Sequence, residues 1–217
     1  MGSEGYVQKG EITLKIHDLS IPLEDGMPYF HGDPVPTIKQ YRSIQNEGYN
    51  IKELKIGTHT GTHLDAPAHF ISDGKTIDQL DIADLGGKGT CISYDPSKEI
   101  ELPENKYEII LLYTGYNLNW SNFKVFENFS YIRKEHAEQL RDYGVKLVGI
   151  DSPSAEHQNS KNFETHRTLL GSSIPIIENL NSVTLSGLIN HTFIVQVMPI
   201  LLKGGDGAPA RVVAIEV

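Results

Sequence analysis

Eight short runs of residues that favour β-structure recur along the chain and constrain its fold more than any other feature. Each run is rich in isoleucine, valine, leucine, threonine and tyrosine, and each is bounded by glycine, proline, asparagine or aspartate, which is typical of strands. The runs are ITLKIHDLS, NIKELKIGT, GTCISYD, YEIILLYTGY, KLVGID, IPIIE, FIVQVMPILL and ARVVAIEV.

Helical patterns are fewer than strand patterns. The segment SYIRKEHAEQLRDYG has Ser130 as a candidate N-cap and Gly144 as a stop, and NSKNFETHRTLLGSS predicts a second helix that ends at Gly171. A short third helix is predicted after Ser182. We therefore predict an α/β fold with more strand than helix. Strands are too frequent for a regular βαβ repeat, and the sequence has no GxGxxG or Walker motif, which argues against a nucleotide-binding fold.

The composition fits one globular domain. The 217 residues are 39% hydrophobic and 22% charged, as in ordinary folded proteins. The net charge of −9 argues against a nucleic-acid surface, which needs a basic face. The longest apolar runs are far shorter than the ~20 residues of a membrane span. We expect neither nucleic-acid nor membrane binding.

The N-terminal segment MGSEGYVQKG is polar and lacks the apolar core of a secretory signal. We predict that residues 1–10 form a flexible tail and that residues 11–217 form a single domain. The single cysteine, Cys91, excludes an internal disulfide and suits a reducing compartment, so we expect a cytoplasmic protein.

The stretch GTHTGTHLDAPAHF, residues 57–70, concentrates candidate ligands. It holds three of the nine histidines, His59, His63 and His69, together with the carboxylate of Asp65. On a regular strand these residues share one face, yet His59 and His63 would lie roughly 13 Å apart, too far to bind one ion. One histidine in such a stretch would be read as structural, but three with an aspartate predict a metal or catalytic site.

The glycines in this stretch indicate how the ligands meet. Gly57, Gly61 and Pro67 disfavour a helix, which argues against a helical HExxH arrangement. We predict instead a strand end that turns sharply at Gly61, which brings the first two histidines and the aspartate to a common point with the third histidine just beyond. Imidazole with carboxylate suits Zn, Mn, Fe or Ni.

The motif HTGTHLDAPAH resembles the HxGTHxDxPxH signature of the metal-dependent cyclase family, which includes bacterial kynurenine formamidases (arylformamidases) and isatin hydrolases. Other segments resemble that family too, so the similarity extends over nearly the whole chain. These segments are HDLSIPLEDGMPYFHGDP, LLYTGY, GIDSPSAEH, HRTLLGSSIPIIENL and GGDGAPARV. The resemblance implies the family's swivelling β/β/α fold and a homodimer or homotetramer.

The resemblance also implies the roles of the clustered residues. His59, His63 and Asp65 would be metal ligands, and His69 would transfer protons beside the metal. Two ions per chain are implied for the formamidase branch, with Zn as the predicted metal and Mn as the alternative.

His166 and Glu178 match the two distant ligands of that branch, which hold the second ion together with the shared aspartate. The sequence gives a separate reason to notice them. His166 lies in a helical pattern, and Glu178 ends the apolar run IPII. A buried strand that ends in a glutamate needs that charge paired or ligated.

The implied activity is hydrolysis of a small aryl formamide, N-formyl-L-kynurenine, to L-kynurenine and formate in tryptophan catabolism. Phe30 stands where the family often has a tryptophan that stacks on the aryl group, and we expect it to bind substrate. The alternatives are hydrolysis of isatin or of another cyclic amide or lactone, a biosynthetic cyclisation, and a metal-binding protein without catalysis.

Other polar residues are interpreted as structural and not as part of the site. Asp206 and Arg211 are interpreted as a structural ion pair, and Asp151 and Ser152 as a turn or cap rather than part of the site. The remaining histidines are interpreted as surface or structural residues: His17, His31, His136, His157 and His191.

Overall fold

The structure is a computed structural model that describes residues 4–9, 12–116 and 126–216. Its strands are β1 (Glu4–Lys9), β2 (Ile12–Asp18), β3 (Thr37–Arg42), β4 (Ile51–Lys55), β5 (His63–Asp65), β6 (Gly86–Ser93), β7 (Ile109–Tyr113), β8 (Leu147–Ile150), β9 (Ile176–Glu178), β10 (Thr192–Pro199) and β11 (Gly207–Glu216). Its α-helices are α1 (Ile44–Glu47), α2 (Lys134–Tyr143), α3 (Glu164–Gly171) and α4 (Ser182–Ser186). Three short 3₁₀ turns cover Pro67–His69, Ile77–Gln79 and Ile82–Leu85.

Nine of these strands form one sheet, which closes on itself. The order is β1-β2-β11-β10-β6-β7-β8-β9-β5, and β5 also pairs with β11. The strands from β11 round to β5 therefore make a barrel of seven strands. The contacts β6–β7, β7–β8 and β8–β9 are parallel, whereas the pairings of β5 with β9 and β11 are antiparallel. The predicted α/β class with more strand than helix is confirmed.

Each of the eight predicted runs contains an observed strand. The strands β1, β3 and β5 were not predicted. Gly144 stops helix α2 as expected: it is the C-cap residue and has a φ of 88°. The helix begins at Lys134, so Ser130 is not its N-cap.

The segment expected to be a tail, residues 1–10, includes β1, which pairs antiparallel with β2. Residues 1–3 and 10–11 lie outside the described part of the chain. The boundary at residue 11 stays a prediction. Among the described residues, none of the helices has the length and apolar character needed to cross a bilayer.

Strand β7 divides the hydrophobic core into two layers. Its residues alternate between the two layers, as the period of two in a strand requires. Ile109 and Leu111 pack inside the barrel, and Ile110 and Leu112 pack against the layer that contains α2 and α3. All four residues are completely buried, which explains why the run reads as continuously apolar.

We predict that Leu111→Ala lowers the free energy of unfolding by about 2–5 kcal/mol, because it leaves a cavity inside the closed barrel. Denaturant unfolding of the purified protein measures the change. The matched control is Leu201→Ala, whose side chain is 81% exposed, and its cost should stay below about 0.5 kcal/mol. Equal losses in the two variants would contradict the assignment of Leu111 to the core.

Candidate metal centre

The short strand β5 places two of the predicted ligands on one face of the barrel. His63 and Asp65 are two residues apart, so their side chains point the same way. His63 lies directly opposite Glu178 of β9, which brings that carboxylate to the same face. On its other side, β5 pairs with β11, where Gly207 lies opposite Asp65.

The turn before β5 brings His59 to the same point. Gly61 has a φ of 66°, a left-handed conformation that favours glycine, and a Cβ there would lie 2.7 Å from the Leu23 side chain. The His59 ring lies 5.0 Å from the ring of His63, and its Nδ1 lies 2.8 Å from Asp65 Oδ1. The sharp turn predicted at Gly61 is therefore present.

Gly207 provides the space that the His59 ring occupies. A Cβ at this position would lie 2.5 Å from His59 Cε1. The absence of a side chain at Gly207 therefore allows the imidazole to approach β11 closely.

Helix α3 contributes the distant histidine. His166 lies on the buried face of the helix, and its Nε2 is 3.2 Å from Glu178 Oε1 and 3.5 Å from Asp65 Oδ2. Residues more than a hundred positions apart in the sequence thus meet at the Asp65 carboxylate. All three residues are at most 5% exposed.

His69 lies at the edge of this cluster. It ends the 3₁₀ turn Pro67–His69, and its ring stacks on the ring of His59 with centroids 4.0 Å apart and a tilt of 31°. Its Nδ1 is 3.5 Å from the Asp206 carboxylate. The side chain is 27% exposed, so it is open to the cavity in a way that His63 is not.

Two buried polar atoms at the centre lack a hydrogen-bond partner within the described residues: Nε2 of His63 and Oδ2 of Asp65. His63 Nδ1 lies 2.9 Å from the Gly61 carbonyl and donates to it, so in the neutral ring Nε2 carries the lone pair. Buried polar atoms are rarely left without partners, because the loss of solvation is costly. A bound cation would satisfy both atoms.

Within the part of the chain that the structure describes, two groups of side chains have ligand atoms close enough to hold an ion. One is His59, Asp65 and His69, and the other is His63, Asp65 and Glu178. Asp65 belongs to both groups, and nitrogen with carboxylate oxygen is a donor set that divalent transition metals accept. The residues present therefore fit a metal centre, although these groups divide the ligands differently from the sets that the family resemblance implies.

The charges of the cluster are strongly coupled. Burial alone would lower the pKa of His63, but the Asp65 and Glu178 carboxylates raise it to about 10. Burial and the nearby Asp65 charge would raise the pKa of Glu178, but His166 and His63 lower it to about 2. The carboxylates therefore need positive charge beside them, which protons on the imidazoles supply in the absence of a cation.

The outer histidines have opposite pKa shifts. Burial would lower the pKa of His59, but hydrogen bonds with Asp206 and Asp65 raise it to about 9. Burial lowers the pKa of His69 below its usual value, and the neighbouring imidazoles of His59 and His166 act in the same direction. His69 is thus the imidazole of the cluster that stays neutral at pH 7.

A cavity of about 350 Å³ opens onto the cluster. Of the described residues, four phenylalanines line it as two pairs: Phe30 with Phe126, whose rings are perpendicular at 5.7 Å, and Phe70 with Phe163 at 5.0 Å. The predicted substrate residue Phe30 is therefore in the cavity wall, and it is 42% exposed.

Sequence reasoning missed some residues around the site. The interpretation of Asp206 and Arg211 as an ion pair is wrong, because Arg211 binds Asp18 and Asp206 faces His59 at 3.1 Å. The hydrogen bond from His59 lowers the pKa of Asp206 well below its usual range. The segment GGDGAPARV contains Asp206, so its similarity to the family was a signal for this residue.

Other interpretations can be compared with the structure. Asp151 is buried and accepts hydrogen bonds from Thr114 and Ser182, which agrees with a structural role. His157 lines the cavity, and Glu156 lies beside His166. From the sequence, His157 is interpreted as a surface or structural residue, and no role is assigned to Glu156.

Comparisons with known proteins agree with this geometry. The chain is 32% identical over 202 residues to kynurenine formamidase of Geobacillus thermodenitrificans, covering 89% of this chain and 94% of that protein. It is 30% identical over 208 residues to kynurenine formamidase of Bacillus anthracis, covering 93% and 97% of the two chains. These relatives support a hydrolase.

Solved structures share the fold. An isatin hydrolase bound to the product analogue thioisatinate aligns with a TM-score of 0.81 and 18% identity, over 94% of this chain and 92% of that one. A potential metal-dependent hydrolase with cyclase activity aligns with a TM-score of 0.75 and 24% identity, over 94% and 98%.

The model of the Cyclase family matches residues 17–157, a span that includes the turn, strand β5 and the cavity wall at Phe30. With this match and the two relatives at 30% identity or more, the chain belongs to the Cyclase family.

Proposed function

We propose that the protein is a metal-dependent amidohydrolase that cleaves a small aryl formamide, with N-formyl-L-kynurenine as substrate and L-kynurenine and formate as products. The observation that carries the proposal is the buried Asp65 carboxylate, which lies between two groups of ligand atoms beside an aromatic cavity. The similarity to kynurenine formamidases of Geobacillus and Bacillus supports the choice of substrate.

We assign two ions per chain, Zn first and Mn as the alternative. His59, His63 and Asp65 would hold one ion, and Asp65 would share the second with His166 and Glu178. Bound divalent ions in such a site lower the pKa of water and polarise a carbonyl oxygen. The chain itself holds the donors in place through the strand register and the backbone of the Gly61 turn.

His69 is the proposed proton shuttle. Its lowered pKa leaves the ring neutral at pH 7, so it can accept a proton from the attacking water. The Asp206 carboxylate near Nδ1 can only accept, so it favours a hydrogen on that nitrogen and leaves Nε2 for proton transfer. The same nitrogen can then return the proton to the leaving amine.

The aromatic pairs support an aryl substrate. An aniline-type ring inserted between the Phe30–Phe126 and Phe70–Phe163 walls would be flanked by apolar faces and edges, and such contacts stabilise aromatic pairs. A cavity of about 350 Å³ is in the range of small-molecule sites. We place the aryl group there and the formyl group toward the histidines.

Isatin, a cyclic aryl amide, is the second candidate substrate, because the fold is shared with an isatin hydrolase. A binding protein without catalysis is the candidate from another class, and the position of His69 argues against it, since that residue is not needed in either proposed ligand set.

We also propose that the protein is cytoplasmic and that it assembles as a homodimer or homotetramer. The hairpin β3–β4 supports assembly, because it exposes large apolar side chains: Tyr41, Ile44, Tyr49, Ile51 and Leu54.

Removal of metal should abolish hydrolysis. Protein treated with a chelator and dialysed is assayed against N-formylkynurenine, isatin and phenylformamide before and after addition of Zn or Mn. We expect turnover of the aryl formamides only in the reloaded protein, with N-formylkynurenine the best substrate. Full activity in metal-free protein would refute the metal dependence. A preference for isatin would show that isatin, the second candidate, is the substrate.

His69→Ala should keep the metal content and the melting temperature and lose kcat by ~10²–10⁴-fold, the usual contribution of a general acid–base residue. Loss of metal together with activity would show that His69 is a ligand, which its distance from Asp65 also allows. A lower melting temperature with unchanged kcat would show that it only packs. The exposed His31→Ala is the matched control and should change none of the three quantities.

Phe30→Ala should raise KM for N-formylkynurenine more than it lowers kcat, because it removes part of the aryl wall and leaves the ligands in place. The loss of a 42% exposed ring is expected to cost ~0.5–1.5 kcal/mol, or about 2–13-fold in KM. The comparison is with formamide itself, which has no aryl group. An equal change for both compounds would exclude a stacking role for Phe30.

A further inference from the structure

The turn Ser154–Ala155–Glu156 contacts both distant ligands of the proposed centre. Its last residue, Glu156, is only 8% exposed and is not one of the proposed ligands. Its Oε2 accepts from the His166 ring at Nδ1 (3.3 Å) and from the backbone N–H groups of Thr165 (3.2 Å) and His166 (3.4 Å).

The contact with the ring decides which nitrogen of His166 faces the cluster with a lone pair. A carboxylate can only accept hydrogen bonds, so Nδ1 opposite Glu156 must carry the hydrogen. In the neutral ring, Nε2 then has the lone pair. Without a cation, Nε2 faces the carboxylates of Glu178 (3.2 Å to Oε1) and Asp65 (3.5 Å to Oδ2), which favour a second proton there, and a bound cation would take the place of that proton.

The same turn also fixes the second of these ligands. Ser154 Oγ and the backbone N–H of Ala155 donate to Glu178 Oε1 at 3.1 and 2.5 Å. The backbone N–H of Glu156 donates to Ser154 Oγ at 3.2 Å, which links the two halves of the turn. One short segment therefore orients both His166 and Glu178.

Glu156 also has a plausible structural task. The N-cap of α3 is Phe163, whose side chain cannot accept a hydrogen bond, and Glu156 serves the free N–H groups of the first turn instead. An effect on metal binding must therefore be separated from an effect on the helix.

We propose that Glu156 is a positioning residue that holds His166 through Nδ1, so that Nε2 is presented to a divalent cation. The inference rests on the proposed metal-dependent function, in which His166 is a ligand. Glu156 would act through His166 and would touch neither the ion nor the substrate. Partners of this kind typically contribute 10–100-fold to metal affinity.

The test is a Zn titration of metal-free protein against a competing chelator, with the melting temperature of each metal-free variant measured in parallel. In Glu156→Gln the amide can accept or donate, so it no longer imposes a hydrogen on Nδ1, while its oxygen can still serve the helix. We expect one of the two Zn-binding steps to weaken by ~10–100-fold and the other to keep its affinity.

The matched control is Thr165→Val. The Thr165 hydroxyl donates to the Ile132 carbonyl at 2.6 Å, so the substitution weakens the start of α3 without removing a contact with the His166 ring. It should lower the melting temperature and leave both Zn affinities unchanged. If Glu156→Gln is too unstable to titrate, Glu156→Asp withdraws the carboxylate from Nδ1 through its shorter stem, and the same weakening of one Zn-binding step is expected.

Wild-type affinity at both steps in the Glu156 variant, or an equal loss in the Thr165 control, would overturn the proposal and leave Glu156 as a helix cap. A single Zn-binding step in the wild type would overturn it as well, because His166 would have no ion to hold. Turnover does not enter this test. A protein that binds two ions with the expected selectivity but hydrolyses no formamide would sink the proposed substrate and keep the positioning role.

Discussion

The site depends on how the buried charge of the Asp65 carboxylate is compensated. Asp65 is 1% exposed and has Glu178 as a second buried carboxylate close by, so the two charges would repel each other strongly without compensation. The surrounding imidazoles are placed to supply that compensation, either as protonated rings or as neutral ligands to a cation. The unpartnered Oδ2 of Asp65 and Nε2 of His63 are atoms that a cation would satisfy best.

The barrel explains why these groups can be held together despite their mutual repulsion. Strand β5 is only three residues long, yet it joins β9 to β11 and completes the ring. Its pairing fixes His63 against Glu178 and Asp65 against Gly207, so the positions of these side chains and the closure of the fold depend on the same backbone hydrogen bonds. Helix α3 then brings His166 over this strand pair, and the turn at Glu156 sets the orientation of its ring.

Much of this arrangement could be predicted from local sequence. The runs of β-branched residues located eight strands, and Gly61 indicated the turn because few other residues tolerate its left-handed backbone. Glu178 could also be recognised as a candidate site residue, because it ends an apolar strand and a buried charge requires a partner. Strand β5 was missed because three residues carry too little periodicity to be recognised.

The remaining features depend on contacts that are distant in sequence. Closure of the barrel is a matter of register between β5 and β11, which no single segment encodes. Asp206 was paired with Arg211 because the two are near in sequence, but the alternation of β11 sends Arg211 to Asp18 on the surface. No role was assigned to Glu156 from the sequence, because its contact with His166 exists only in the folded chain.

Counting bound ions tests whether Asp65 is shared by two of them. Metal per chain is measured by mass spectrometry in the wild type, in Glu178→Gln and in Asp65→Asn, all loaded with Zn and freed of excess metal. We expect two ions in the wild type, about one fewer in Glu178→Gln, and loss of both in Asp65→Asn, because only the aspartate serves both positions. An Asp65→Asn protein that still binds one ion tightly, or a Glu178→Gln protein with the wild-type count, would show that Asp65 is not shared.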